Sequence, residues 1–195
     1  MKKRSTELSR KTTETDIRLS LCLDGSGKAD ISTGIPFLDH LLDALTRHSR
    51  IDLALTCRGD LEVDDHHTAE DCALALGAAI DTALGERRGI GRFGDAHAPL
   101  DEALARAVID LSGRPFAAVD LGLAEQMLGT LRAENAEHVI RSLATAMRAA
   151  VHVDVLRGDN GHHRAEAAFK ALALALRQAV ARDGSKEVPS TKEML

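Results

Sequence analysis

At 195 residues, 44% hydrophobic and 28% charged, the chain is sized for one globular domain or two small ones of about 95 residues each. A net charge of −5 excludes a whole-chain pull toward nucleic acid, and four phenylalanines with no Trp or Tyr leave little to stack bases on. Cys22, Cys57 and Cys72 form no CxxC pair, the basic start MKKRSTELSRK lacks a signal peptide's apolar segment, and no apolar run reaches membrane-span length. The chain therefore reads as cytoplasmic.

In chain order, TETDIRLSLCLDGSGKADIS from Thr13 alternates Ile17, Leu19, Leu21 and Leu23, and Asp24–Gly27 is turn chemistry, so the stretch reads as a β-hairpin. IPFLDHLLDALTRHS has Pro36 near its start and a helical spacing of leucines. IDLALTCRGD reads as a strand, and HHTAEDCALALGAAIDTALG as a long helix ending at Gly85. Residues 85–103, GERRGIGRFGDAHAPLDEA, read equally as a linker or, through Arg88, Gly91 and Arg92, as an anion-binding loop. EALARAVIDLSGRPFAAVDL reads as a second hairpin turning at Leu111–Arg114, followed by helix NAEHVIRSLATAMRAA, strand VHVDVLRG and helix HHRAEAAFKALALALRQAV. DGSKEVPSTKEML has the composition of a frayed tail, although Ser190, Thr191 and Lys192 also suit contact with a phosphate.

The second half follows the order of the first. His138 lies 98 residues after His40, each preceded by an acid, and a shift of 96 superposes His66, His67 and Glu70 on His162, His163 and Glu166. The pattern predicts an α/β fold of the α+β sandwich kind, a tandem duplication of a β-β-α-β-α unit with sheets packed against helices. Its halves are residues 1–92 and 93–195 of one integrated domain.

Successive helical residues point about 100° apart, so His66 and His67 diverge, while Glu70 shares a face with either. Six histidines and two glutamates then divide into two sites of three His and one Glu. A lone helical histidine is ordinarily a surface or hydrogen-bonded residue, and His97 and His152 are read so; two HHxxE copies in register point to metal. Mixed N/O ligation suits zinc, iron, nickel or manganese. Asp64 and Asp65 are candidates to orient imidazole N–H groups, with helix capping as the alternative, and Cys72 falls on a core face.

RKTTET (10–15), LDGSG (23–27), TGIPFLDHLL (33–42), DDHHTAED (64–71), GIGRFG (89–94), LDEAL (100–104), DLSGRP (110–115), HHRAEAAFKA (162–171) and PSTK (189–192) stand in order along nearly the whole chain. In these motifs the chain resembles the imidazoleglycerol-phosphate dehydratase family. The resemblance implies a carbon–oxygen lyase of histidine biosynthesis that dehydrates a small phosphorylated imidazole, with no nucleic-acid or membrane partner. It further implies two Mn(2+) per active site, sites built between subunits, and a homo-oligomeric 24-mer assembled from trimers. One metal would be held by His40, His67, Glu70 and His162, the other by His66, His138, His163 and Glu166. Glu14, Glu70 and Glu166 are the acids implied in catalysis, with Glu14 the choice for proton transfer. His40, His48, His66, His162 and Lys170 would line the substrate, and Arg92, Arg114, Ser190, Thr191 and Lys192 would meet its phosphate. The proton to be removed is not next to a carbonyl, so gripping the imidazole between two metals, favouring its imidazolate form, is a physical route to expelling the hydroxyl.

The sequence departs from the family's usual pattern at Leu100, at LRAENAEH (131–138) and at Glu193, none of them an implied ligand. Two competitors stand beside this reading: a di-metal hydrolase, and a non-enzymatic metal-binding cage. Against the cage, ferritin-like sites use Glu-x-x-His on four long helices, not His-His-x-x-Glu with intervening strands.

Overall fold

The computed structural model describes residues 3–124, 126–192 and 195; the departure at Glu193 lies outside the described residues. Ile17, Leu19 and Leu21 bury one face of strand β2 (Thr15–Cys22). That strand pairs antiparallel with β1 (Ser5–Lys11) on one side and with β4 (Asp52–Gly59) on the other. Strand β3 (Ala29–Ser32) joins β4 in parallel through helix α1 (Pro36–Ser49), which gives the order β1-β2-β4-β3. Helix α2 (His66–Leu84) follows. Strands β5 (Phe93–Leu100), β6 (Ala103–Asp110) and β7 (Phe116–Asp120) then precede a small hairpin, β8 (Met127–Leu128) and β9 (Leu131–Arg132). Helix α3 (Ala133–Met147), strand β10 (Ala150–Arg157) and helix α4 (Gly161–Val180) complete a second sheet ordered β5-β6-β10-β7. The fold is mixed α/β, as expected, and among the described residues no helix is long and apolar enough to cross a membrane.

Three local expectations are corrected. Residues 13–32 are not a hairpin: β2 and β3 both pair with β4, and the hairpin of this half is β1–β2. Asp24–Gly27 is part of a crossover, pinned where Asp52 Oδ1 accepts the N–H groups of Ser26, Gly27 and Lys28. Likewise β7 pairs with β10 and not with β6, so Leu111–Arg114 joins strands that are not neighbours, and the hairpin of the second half is β5–β6. Within the stretch read as linker or anion loop, residues 93–100 are strand. β1 carries a single apolar residue, Leu8, so its alternation has no hydrophobic signature. β5 is masked by Gly94, which a side chain could not replace: a Cβ there would lie 2.0 Å from the carbonyl oxygen of Ala175 on α4.

The helices fill the space between the sheets. α1 and α2 pack on the first sheet, α3 and α4 on the second, and they meet as α1 on α4 and α2 on α3. Gly77 permits the second contact, since its Cβ would sit 2.6 Å from the Leu143 carbonyl oxygen. Cys72 is buried in this core at 1% exposure.

Near the chain ends, Asp24 accepts from Arg4 at 2.6 Å and from Arg182 at 2.9 Å. The Arg4 hydrogen bonds, against a cost of burial, hold its carboxyl well below the usual carboxylate range. A depressed folded pKa stabilises above the unfolded value and loses that stabilisation as pH falls. Asp24→Asn is therefore expected to cost about 1–2 kcal/mol at neutral pH. The difference in urea midpoint from the wild type should stay constant between pH 8 and 5 and narrow below about pH 4.

Candidate metal centre

The histidine pairs occupy the first turns of α2 and α4, and His40 and His138 stand near the starts of α1 and α3. Because α1 packs on α4 and α2 on α3, the helix starts bring the pairs together. His40 Nε2 and His162 Nε2 lie 2.9 and 3.1 Å from the same oxygen, Glu166 Oε2, while Lys170 Nζ reaches Glu166 Oε1 at 2.7 Å. Burial raises the Glu166 pKa, but the Lys170 hydrogen bond and His40 outweigh it and hold the carboxyl at about 2. At the other pair, Glu70 lies 3.7 Å from His66 Nε2 and 3.3 Å from His138 Nε2, and the rings of His66 and His138 stack at 4.8 Å. Each trio presents its candidate ligand atoms within 4.8 Å of one another.

Within one chain this grouping differs from the implied quartets. The pairs His40–His162 and His66–His138 are kept, but Glu166 sits with the first and Glu70 with the second. His67 and His163 stand outside both trios, 6.0 and 6.1 Å from the rings of their neighbours His66 and His162, as the helical divergence requires. Behind His67, Nδ1 is 3.0 Å from Asp60 Oδ2; in front, Nε2 is 3.8 Å from Glu14 Oε1. Behind His163, Nδ1 is 2.7 Å from Glu102 Oε2; in front, Nε2 is 3.9 Å from Asp101 Oδ2. Asp60 and Glu102 raise the proton affinity of these two imidazoles, and His163 in turn holds Glu102 at about 2.

The sequence reading missed Asp60, Glu102 and Asn135, whose Oδ1 lies 3.1 Å from His66 Nδ1, and had placed that role on Asp64 and Asp65. In the structure Asp64 accepts the backbone N–H of His66 and Asp65 that of Arg132, so both serve as backbone acceptors. Asp60, seven residues before His67, has no acidic counterpart at the repeat spacing, and Asn135, 69 residues after His66, becomes adjacent only through the α2–α3 contact.

Glu14 sits at the tip of the β1–β2 hairpin, which is tied down at several points. Thr12 Oγ1 accepts from the N–H groups of Glu14 and Thr15, Thr15 Oγ1 donates to buried Asp71 at 2.5 Å, and Arg10 pairs with the same carboxylate. Arg92 is gripped by Asp110 at 2.7 and 3.2 Å and donates to the Pro189 carbonyl at 2.8 Å, which brings Ser190, Thr191 and Lys192 beside it. Arg114 is exposed on the loop after β6. His48 is exposed in the last turn of α1, about 12 Å along the helix from His40, and joins neither trio. A cavity of about 700 Å³ on the outer face of the first sheet is lined by no histidine. A depression of about 280 Å³ lies against His40, His162 and Phe37.

These residues fit metal ions. An ionised carboxylate can only accept, so Asp60 and Glu102 require the proton on Nδ1 of His67 and His163, and in the neutral imidazole this leaves the Nε2 lone pair free. His138 Nε2 is buried and makes no hydrogen bond, despite its 3.3 Å approach to Glu70. A buried imidazole nitrogen beside a carboxylate, with no hydrogen bond of its own, has the chemistry of a metal ligand.

Residues 33–176 match the family model described as imidazoleglycerol-phosphate dehydratase. The chain is 53% identical over 197 residues to a protein of that name from Phaffia rhodozyma, covering 98% of this chain and 96% of the relative. It is 56% identical over 192 residues to the one from Phytophthora nicotianae, covering 98% of this chain but spanning only 42% of that longer relative. A crystal structure of IGPD from Pyrococcus furiosus, in complex with (S)-C348, superposes with a TM-score of 0.83 at 37% identity, covering 96% of this chain and 100% of that one. With half of the chain exceeded by the family model and near-complete coverage of the Phaffia relative, the chain belongs to the imidazoleglycerol-phosphate dehydratase family.

Proposed function

We propose that this chain removes water from imidazole-glycerol phosphate to give imidazole-acetol phosphate in histidine biosynthesis, using two Mn(2+) per active site. The observation that carries the reading is the gathering of His40, His162 and Glu166, and of His66, His138 and Glu70, at the paired helix starts. The pairs His40–His162 and His66–His138 are each two residues short of four protein ligands within one chain, each trio's glutamate being the one implied for the other metal, and His67 and His163 stand outside both trios. This supports sites shared between subunits, with His40 and His162 of one chain meeting His67 and Glu70 of another, and His66 and His138 meeting His163 and Glu166. A homo-oligomer follows from that arrangement, and a 24-mer built from trimers is the assembly we propose. The identical strand order of the two sheets supports the tandem duplication of residues 1–92 and 93–195.

Metals held by these histidines and glutamates would supply Lewis acidity that lowers the proton affinity of the substrate's imidazole. Glu14, half-exposed on its braced hairpin, takes the carbon-bound proton. Lys170 keeps Glu166 ionised, and so a donor. Arg92, already oriented by Asp110, forms the phosphate cradle with Arg114, Ser190, Thr191 and Lys192. Bidentate pairing fixes the Arg92 fork, so phosphate binding requires little further ordering of that side chain.

The test is turnover of imidazole-glycerol phosphate by chelator-stripped chain, with and without added manganese, followed as loss of one water by mass. Product formed only when manganese is restored is the expected result. No product at full metal occupancy would sink the dehydratase reading and favour the hydrolase or the cage.

A further inference from the structure

We propose that Asp60 and Glu102 are positioning residues that fix the imidazoles of His67 and His163 in the Nδ1–H form and so keep each Nε2 lone pair available to a metal. The inference rests on reading His67 and His163 as ligands, and assigns to the acids a role that no motif spacing carries. Both contacts are short, 3.0 Å for Asp60 and 2.7 Å for Glu102. Both acids are themselves held in place. The backbone N–H of Asp60 donates to the Glu14 carbonyl at 3.0 Å, and Glu102 Oε1 accepts from the N–H groups of Asp159 and Asn160 at the start of α4.

The two acids reach their histidines by different chain routes. Asp60 follows β4, just ahead of α2, whereas Glu102 lies in the β5–β6 turn, 61 residues before His163. Simple copying of a local turn would have put them at matching positions. The shared feature is the bond itself, which identifies the orientation of the imidazole as the quantity held constant. His66 supplies the contrast: its Nδ1 faces the neutral amide oxygen of Asn135 at 3.1 Å, a partner that can fix the same tautomer without a full negative charge behind the ring. An ionised partner strengthens electron donation by the opposite nitrogen, so His67 and His163 would be the firmer ligands of their pairs.

Nitrogen-15 NMR of histidine-labelled, chelator-stripped full-length chain at about pH 9, where ordinary imidazoles are neutral, reads the tautomers directly. The wild type should show Nδ1 protonated and Nε2 bare at both residues. Asp60→Ala and Glu102→Ala should move the proton toward Nε2 at His67 and His163 respectively and weaken binding of Mn(2+) alone by about 10–100-fold. Asp60→Asn and Glu102→Gln, which keep an acceptor oxygen and preserve folding, should retain the tautomer yet bind Mn(2+) about tenfold more weakly. Alanine variants with unchanged nitrogen signals and unchanged Mn(2+) affinity would overturn the proposal. A wild type that takes up no Mn(2+) would defeat the metal reading of the site, while the nitrogen signals would still decide the tautomer.

Discussion

Glu166→Gln is expected to lower turnover at saturating manganese by at least about a hundredfold, and to weaken manganese binding with it. One Glu166 oxygen serves both His40 and His162, and the other serves Lys170. An amide has one oxygen for this work, and its NH2 group must face either two imidazoles or an ammonium. It also removes a negative charge that Lys170 and His40 stabilise strongly enough to keep the carboxyl at about 2. Because the residue is 13% exposed, water can do little to replace the lost charge. Steady-state kinetics, with manganese affinity and thermal unfolding measured on the same preparation, separate loss of the ligand from loss of the fold. Turnover within about threefold of the wild type would remove Glu166 from the ligand set.

The largest effect on stability is expected at Arg87, which no site reading singles out. Its side chain is 2% exposed, and its guanidinium donates to Asp81 at 2.6 Å and to the carbonyls of Met147 and Arg148 at 2.8 and 3.1 Å. Those carbonyls lie at the end of α3, where a helix leaves oxygens without partners, so Arg87 closes one helix from the end of another. Arg87→Ala would strand the acceptors and part of the Asp81 charge at a cost of about 3–5 kcal/mol. Arg87→Lys should fall between, since an ammonium cannot span three acceptors with a planar fork. Urea unfolding with an unchanged m-value is the measurement, and a loss below about 1 kcal/mol would show that the helix ends are held by other means.

How legible the molecule was in its sequence depended on which periodicity carried each element. All four helices were readable because leucines, alanines and isoleucines recur at helical spacing along each, and β2 because its aliphatics alternate. β1 was not, since STELSRK offers one buried-side apolar residue, and β5 was hidden by the glycine that lets α4 approach. Pairing was less readable still. Asp24–Gly27 looks like a hairpin turn, and only the competition of β2 and β3 for the two edges of β4 makes it a crossover.

The sequence by itself determined the inventory: six histidines and two glutamates in register, the basic residues ahead of β5 and in the tail, and the family motifs that hold them. The tertiary structure decided the company each residue keeps. It put Glu166 with His40 and His162, placed Asp60, Glu102 and Asn135 behind the imidazoles, and turned Asp64 and Asp65 into backbone acceptors. The reason is physical. Ligand identity is a property of single side chains, whereas a hydrogen bond 2.7 Å long between residues 61 apart exists only once strands have paired and helices have packed.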